Sequence, residues 1–328
     1  MSLPHILLIS LGGTITMTRS AAGGLTPTLT AAELAAAVPG LDALVQIETT
    51  SPMAMPGASL TIDDVLAVAT LADARLANDV DGVVVIQGTD SIEETAYLLD
   101  LVIRSSKPVV VTGAMRGPQA PGADGPANVL AATLVAAAAE AHGLGTLVVL
   151  NDEIHAARLV QKSHTALPSA FTSPLAGPLG LVTEGRPRFH LRLSSRPPGL
   201  TVAPGVDAPV ALLRTSLGDD GRMLRMLTGI GYRGLVLEGM GAGHVPARVA
   251  PLVGEVASLI PVVLASRVAT GPAFRSTYGF PGSEIDLLGR GAISAGALSP
   301  LKARLLLALL LREPADRTTL AAAFARYD

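Results

Sequence analysis

His5-Ile6-Leu7-Leu8-Ile9-Ser10-Leu11-Gly12-Gly13-Thr14 begins as a nearly unbroken apolar run and ends on two glycines and a hydroxyl. Continuous apolar character, without alternation, predicts a strand buried on both faces, as in a parallel sheet covered by helices. The glycine pair permits a tight turn and a close approach of ligand to backbone. The same reading applies to Val83–Gln87, which runs into Gly88-Thr89-Asp90-Ser91, and to Val109–Thr112 and Leu147–Leu150.

Between these strands lie Ala/Leu-rich stretches that predict helices over 30–38, 61–77, 91–104 and 124–141. Thr30 with Glu33, and Thr61 with Asp64, have the offset of a capping box. Strand–helix alternation of this kind predicts an α/β fold: a larger N-terminal domain with a mostly parallel sheet flanked by helices, over 1–187. The pattern lapses into Gly185-Arg186-Pro187 and Arg196-Pro197-Pro198-Gly199, so 188–207 reads as a linker. Alternation resumes at Val210–Leu213, Gly234–Glu238 and Val262–Ala265, with helices expected near 220–229, 246–259, 299–312 and 316–327. A smaller C-terminal α/β domain is expected over 208–328.

Of 328 residues, 49% are hydrophobic and only 16% charged, against roughly 25% charged in an average globular chain. Two explanations stand: burial of surface against another subunit, or a compositional bias toward Ala, Gly, Pro and Arg. A net charge of −3 with 3% aromatics gives nothing to track a phosphate backbone or stack bases, which argues against nucleic acid as a partner. Cysteine is absent, which removes disulfides and thiolate chemistry. No apolar stretch approaches the ~20 residues of a membrane span, and no basic-flanked leader is evident, so a cytoplasmic protein without membrane association is expected. The six histidines show no i,i+4 pair and no H-E-x-x-H, so neither metal nor cofactor is expected.

Open α/β sheets collect ligands at the carboxyl ends of their strands. There this chain places Thr14, Thr89 and Asp90, while Lys162 lies alone downstream. Two threonine hydroxyls, an acid and a potential base are the inventory of an acyl-transfer site. Each has a plainer alternative: Thr14 as a turn residue, Asp90 or Ser91 as a helix cap, Lys162 as a solvated lysine. A phosphate-cradling turn would want G-x-G-x-x-G or a G-K-[ST] ending, and neither is present. Thr16 follows Thr14 at strand spacing, which would let it point the same way. Residues 17–27, small and glycine-rich, read as either a lid or an ordinary surface loop.

Taken together, Ser10–Ile15, Gln87–Tyr97, Lys107–Arg116, Asp124-Gly125-Pro126, Val149–Asp152, Lys162, Ser266–Gly271 and Lys302-Ala303-Arg304 resemble the bacterial L-asparaginase/glutaminase family over nearly the whole chain. The resemblance implies that Thr14 attacks the side-chain amide of asparagine, that a β-aspartyl-enzyme forms, and that water then releases aspartate. It implies Thr89, Asp90 and Lys162 as the second threonine and its acid–base partners. On the same resemblance Asp90 would also hold the substrate's α-ammonium, and the backbone at Thr89 and Ala114 would line the site. Glu284 falls where the family supplies a carboxylate from a neighbouring subunit, in a homotetramer whose sites form between paired subunits; a homodimer is the smaller unit that would satisfy this.

The sequence also departs from the family. The lid tyrosine matches Leu25, and the Ser-Gln substrate clamp is replaced within Ser51–Gly57, leaving Ser51 as a candidate ligand. An asparagine expected near 217 reads Leu217-Gly218, and Leu11 stands where threonine is usual. Thr16 or Tyr278 is a candidate replacement for the tyrosine hydroxyl. A non-catalytic amino-acid-binding or regulatory relative, a hydrolase of a different small amide, and an ammonia-supplying amidotransferase subunit are the alternative functions.

Overall fold

The computed structural model describes residues 2–19 and 25–327; the side chains of 19 and 25–27 are outside that description. The chain forms two compact units, Met1–Leu200 and Thr201–Asp328.

The first unit opens with β1 (His5–Ser10), β2 (Met17–Arg19), β3 (Leu25–Pro27), α1 (Ala31–Ala36) and β4 (Gln46–Thr50). It continues with α2 (Ile62–Asn78), β5 (Gly82–Ile86), α3 (Ile92–Val102), β6 (Val109–Thr112), α4 (Gly125–Ala136) and β7 (Thr146–Leu150). Short strands complete it: β8 (Glu153–Ala156), β9 (Gln161–Lys162), β10 (Phe171–Thr172), β11 (Gly180–Thr183) and β12 (Arg186–Phe189).

Eight strands make one sheet in the order β12-β11-β8-β7-β6-β5-β1-β4. The stretch from β4 to β7 is parallel, as the apolar strands predict, and β8, β11 and β12 extend it antiparallel. Ile6, Leu8, Val84, Ile86, Val110, Leu147 and Val149 belong to one core with Leu34 of α1 and Val129, Ala132 and Val135 of α4. Helices α2 and α3 pack together, α2 against β5 and α3 against β6 and β7. Both capping boxes form, at Thr30 with Glu33 and at Thr61 with Asp64.

From β1 the chain crosses to β4 on one side and returns to β5 on the other. The strand order therefore reverses between β1 and β5, the position at which doubly wound sheets open a crevice for ligands.

The Pro/Arg composition from 185 onward conceals structure. Arg186–Phe189 is an edge strand paired with β11. Arg196 is held on the first unit, donating to the carbonyls of Ser105 and Ile103 and pairing with the partly buried Asp100. Residues 190–209 contain no helix or strand.

The second unit contains β13 (Val210–Arg214), β14 (Gly234–Gly239), α5 (Ala250–Ala257), β15 (Val262–Ser266), α6 (Glu284–Gly289), β16 (Ile293–Ser294), α7 (Pro300–Leu310) and α8 (Arg317–Phe324). Its four strands are parallel, in sequence order, and α7 packs on β13, β14 and β15. The helix expected at 220–229 is only a single 3-10 turn, Leu224–Met226. Gly221 and Gly229 bracket it, and glycine is a poor helix former.

Candidate active site

The strand register brings Ser10 of β1 opposite Ile86 of β5, and Ile86 opposite Thr112 of β6. The loops leaving these three strands thus start side by side. Their backbones are knitted: Leu11 N donates to Ile86 O at 2.8 Å, and Gln87 N to Thr112 O at 3.0 Å. Met55 N donates to Leu11 O at 3.0 Å, adding the segment after β4 to the same edge.

The two glycines before Thr14 meet a steric demand as well as a conformational one. Gly13 sits at φ 89°, ψ −176°, a region open essentially to glycine alone. A Cβ there would lie 2.1 Å from the Gly88 Cα; one on Gly12 would lie 2.6 Å from Met55 N. Thr14 is therefore set on backbone pressed directly against the loop that carries Thr89. Thr14–Thr16 is a 3-10 turn rather than strand, which turns Thr16 inward. Thr16 is fully buried, and its hydroxyl donates to the Gly13 carbonyl at 2.8 Å. That hydroxyl is thus taken up by the backbone of its own turn.

Lys162 is brought to this edge by the β9–β10 hairpin, with Phe171 directly opposite it. Its Nζ donates to Thr89 Oγ1 and to Asp90 Oδ1, each at 2.9 Å. Its backbone N–H donates to Glu93 Oε1 at 3.3 Å. Thr89 is buried, whereas the Asp90 side chain is 67% exposed. Asp90 thus has open surface beside the ion pair for a cationic group of a substrate. Ser91 stands at the N-cap of α3 without capping it; its hydroxyl donates instead to Gly57 O at 2.7 Å.

Ala114 is buried in the loop after β6. Asp124 accepts from the N–H groups of Met115 and Arg116, and Asn128 Nδ2 donates to Gly113 O at 2.9 Å. Asn128 Oδ1 also accepts from Asn151 N, tying this loop to the β7–β8 turn. That turn has φ of 52° at Asn151 and 61° at Asp152, the left-handed pair of a two-residue hairpin.

Ser51 is exposed, directly after β4. Its Oγ accepts from Ala31 N at 3.0 Å, serving the first turn of α1. Glu284 and Tyr278 belong to the second unit. The Glu284 carboxylate is fully buried, and burial alone would raise its pKa. The N–H groups of Tyr278 and Thr277 and the His244 side chain hold it below the usual carboxylate range instead. Tyr278 lies edge-on to His244 and stacks on Phe274. Of the 17–27 segment, residues 20–24 and the Leu25 side chain lie outside the described residues.

Sequence reasoning missed three supports of the site: Glu93 under Lys162, Ser91 on Gly57, and Asn128 beneath Ala114. Their only sequence signal was position within the Gln87–Tyr97 stretch or just after Asp124-Gly125-Pro126.

An α/β hydrolytic fold with a threonine–lysine–aspartate cluster at its switch point is the class defined by these features. Residues 5–195 match the family model described as asparaginase, N-terminal, and 209–324 match the glutaminase/asparaginase C-terminal domain. The chain is 36% identical over 326 residues to a probable L-asparaginase of Deinococcus radiodurans, covering 96% of this chain and 95% of that one. It is 31% identical to a glutaminase-asparaginase of Pseudomonas fluorescens, covering 99% and 91%. A crystal structure of a probable cytoplasmic L-asparaginase from Campylobacter jejuni superposes with a TM-score of 0.88 at 31% identity, over 98% of this chain and 99% of that one. The chain belongs to the asparaginase family, and is an asparaginase-type amidohydrolase.

Proposed function

We propose that this protein hydrolyses L-asparagine to L-aspartate and ammonia through an acyl-enzyme on Thr14. The observation that carries the reading is the placement of Lys162 Nζ at 2.9 Å from both Thr89 Oγ1 and Asp90 Oδ1, on the loop packed against the one that bears Thr14.

In the first half-reaction Thr14 Oγ1 attacks the side-chain carboxamide carbon and its proton passes to a base. The C–N bond breaks, and the nitrogen leaves as ammonia after taking a proton. In the second, water attacks the resulting ester, the C–O bond to Thr14 breaks, and aspartate departs. Lys162, hydrogen-bonded to Thr89 and ion-paired with Asp90, is the group through which Thr89 would exchange a proton, with Asp90 holding the lysine in place. The exposed face of Asp90 suits the substrate's α-ammonium. The buried Ala114 loop, locked by Asp124 and Asn128, supplies a rigid wall.

The test is ammonia release from L-asparagine, L-glutamine and D-asparagine, with Thr14→Ala beside the native chain. Turnover of L-asparagine that Thr14→Ala abolishes, with a covalent β-aspartyl adduct trapped in the native chain by mass spectrometry, is the expected result. Undiminished turnover in Thr14→Ala would remove Thr14 as the nucleophile. Glutamine is included because the Pseudomonas fluorescens relative is named a glutaminase-asparaginase.

The proposal extends to assembly and compartment. A homotetramer of paired subunits accords with the low charged fraction of 16%. Light scattering at micromolar concentration measures it. A cytoplasmic location draws support from the name of the Campylobacter jejuni relative. Among the described residues no helix is long and apolar enough to cross a membrane.

A further inference from the structure

A buried polar chain is centred on β8, the strand that precedes the β9–β10 hairpin of Lys162. His155, on β8, is 1% exposed. Its Nδ1 is 3.0 Å from Ser173 Oγ and its Nε2 is 3.1 Å from Glu153 Oε2. Ser173 is buried as well, so it is not placed to meet a substrate. Burial pushes the imidazole down to about 4, which keeps the ring neutral in ordinary buffers. A neutral imidazole has one donor and one acceptor, and an ionised carboxylate only accepts. Nε2 therefore carries the proton toward Glu153, and Nδ1 accepts from the Ser173 hydroxyl.

The three residues join the main sheet to the hairpin that presents Lys162. One arm of that hairpin, β9, follows β8 after a short turn in which Leu159 N and Val160 N both donate to Ala156 O. The other arm, β10, ends at Thr172, and Ser173 comes next. Phe171, two residues before Ser173, is the register partner of Lys162. The first arm is thus tethered by the chain itself, and the second by the His155–Ser173 hydrogen bond.

We infer that His155, with Ser173 and Glu153, is a positioning device for Lys162: it pins the second arm of the hairpin to β8 and so fixes where the lysine meets Thr89 and Asp90. The inference rests on the reading of Lys162 as the acid–base partner of Thr89. A small displacement of such a group costs rate rather than affinity.

The experiment compares the full-length chain with Ser173→Ala, His155→Leu and His155→Gln by amide hydrogen exchange and by steady-state kinetics. The hairpin amide to watch is Ser163, which donates to Ala170 O at 2.7 Å. In Ser173→Ala and His155→Leu its exchange should speed up by about tenfold or more, while β1 and β5 amides keep their native rates. On L-asparagine kcat should fall about tenfold with KM within about twofold. His155→Gln, which keeps a donor and an acceptor, should recover most of both losses. Native exchange at Ser163 in Ser173→Ala, or a raised KM with kcat retained, overturns the inference. If the native chain releases no ammonia from any amide, the functional reading fails, and the exchange rates alone decide the structural one. If His155→Leu does not fold, Ser173→Ala carries the test.

Discussion

Gly13 and Gly88 touch backbone to backbone: a methyl group on Gly13 would come within 2.1 Å of both the Cα and the N of Gly88. The contact joins the loop after β1 to the loop after β5, and with them the two threonines.

Gly13→Ala should therefore be severe. The strained backbone alone costs ~1–3 kcal/mol, and the overlap forces the two loops apart. A lowered thermal midpoint and loss of nearly all ammonia release are expected. Native activity in a folded Gly13→Ala chain would show that the loops separate without consequence for catalysis.

Lys162→Met should lower kcat by about 10²–10⁴-fold, the range for loss of a positioned acid–base group. Lys162→Arg should not restore it, because a guanidinium stays protonated and cannot serve as base. Asp90→Asn should raise KM as well as lower kcat, since the open face of that carboxylate is assigned to the substrate's ammonium. Initial-rate measurements over a range of asparagine concentrations separate the two effects.

Thr16→Val leaves the Gly13 carbonyl without its side-chain donor and should cost about 1 kcal/mol of stability. Its effect on activity should come through a misplaced Thr14 turn, not through loss of an activating hydroxyl. A variant with native stability and no turnover would restore Thr16 as a direct participant.

Acid should weaken the fold through His155. Its imidazole titrates at about 4 in the folded chain and near 6.5 when unfolded. Between those values the unfolded chain binds more protons, so stability falls as pH drops from about 6.5 to about 4. The gap corresponds to roughly 3 kcal/mol. Burial raises the Glu153 carboxyl, and that partly opposes the trend at the lower end of the window. Thermal unfolding from pH 7 to pH 4 should show the loss, and His155→Gln should flatten it. A slope unchanged by His155→Gln would remove this histidine as the source.

Most of the first sheet was legible because its strands are uninterrupted apolar runs ended by glycine or polar turns. The capping boxes at Thr30 and Thr61 marked two helices. The edge strand Arg186–Phe189 was hidden because an edge needs no apolar face, and its Arg and Pro read as linker. In the site, Thr14, Thr89, Asp90 and Lys162 were each visible as residues at strand ends or in a motif. What joins them was not: the Gly13–Gly88 contact and the hairpin that returns Lys162 to Asp90 depend on strand order, which no local pattern encodes. Ser51 drew attention as a hydroxyl in the right segment, and only the structure shows that hydroxyl at work on α1.

The placement of β1 between β4 and β5 bears on how the protein is made. His5 pairs with Gln46 and Ile6 with Gly82, so β1 leaves the ribosome before either neighbour exists. At the usual pace of synthesis it waits roughly 4–15 s for the later of the two. During that interval Ile6, Leu7, Leu8 and Ile9 are an unpaired apolar segment, the kind of surface that chaperones shield. The waiting period also sets the order of events for activity. On the proposed reading, a nascent chain that has already displayed Thr14 stays silent at least until Lys162 and its hairpin, ending at Thr172 near the midpoint of the 328 residues, have been translated.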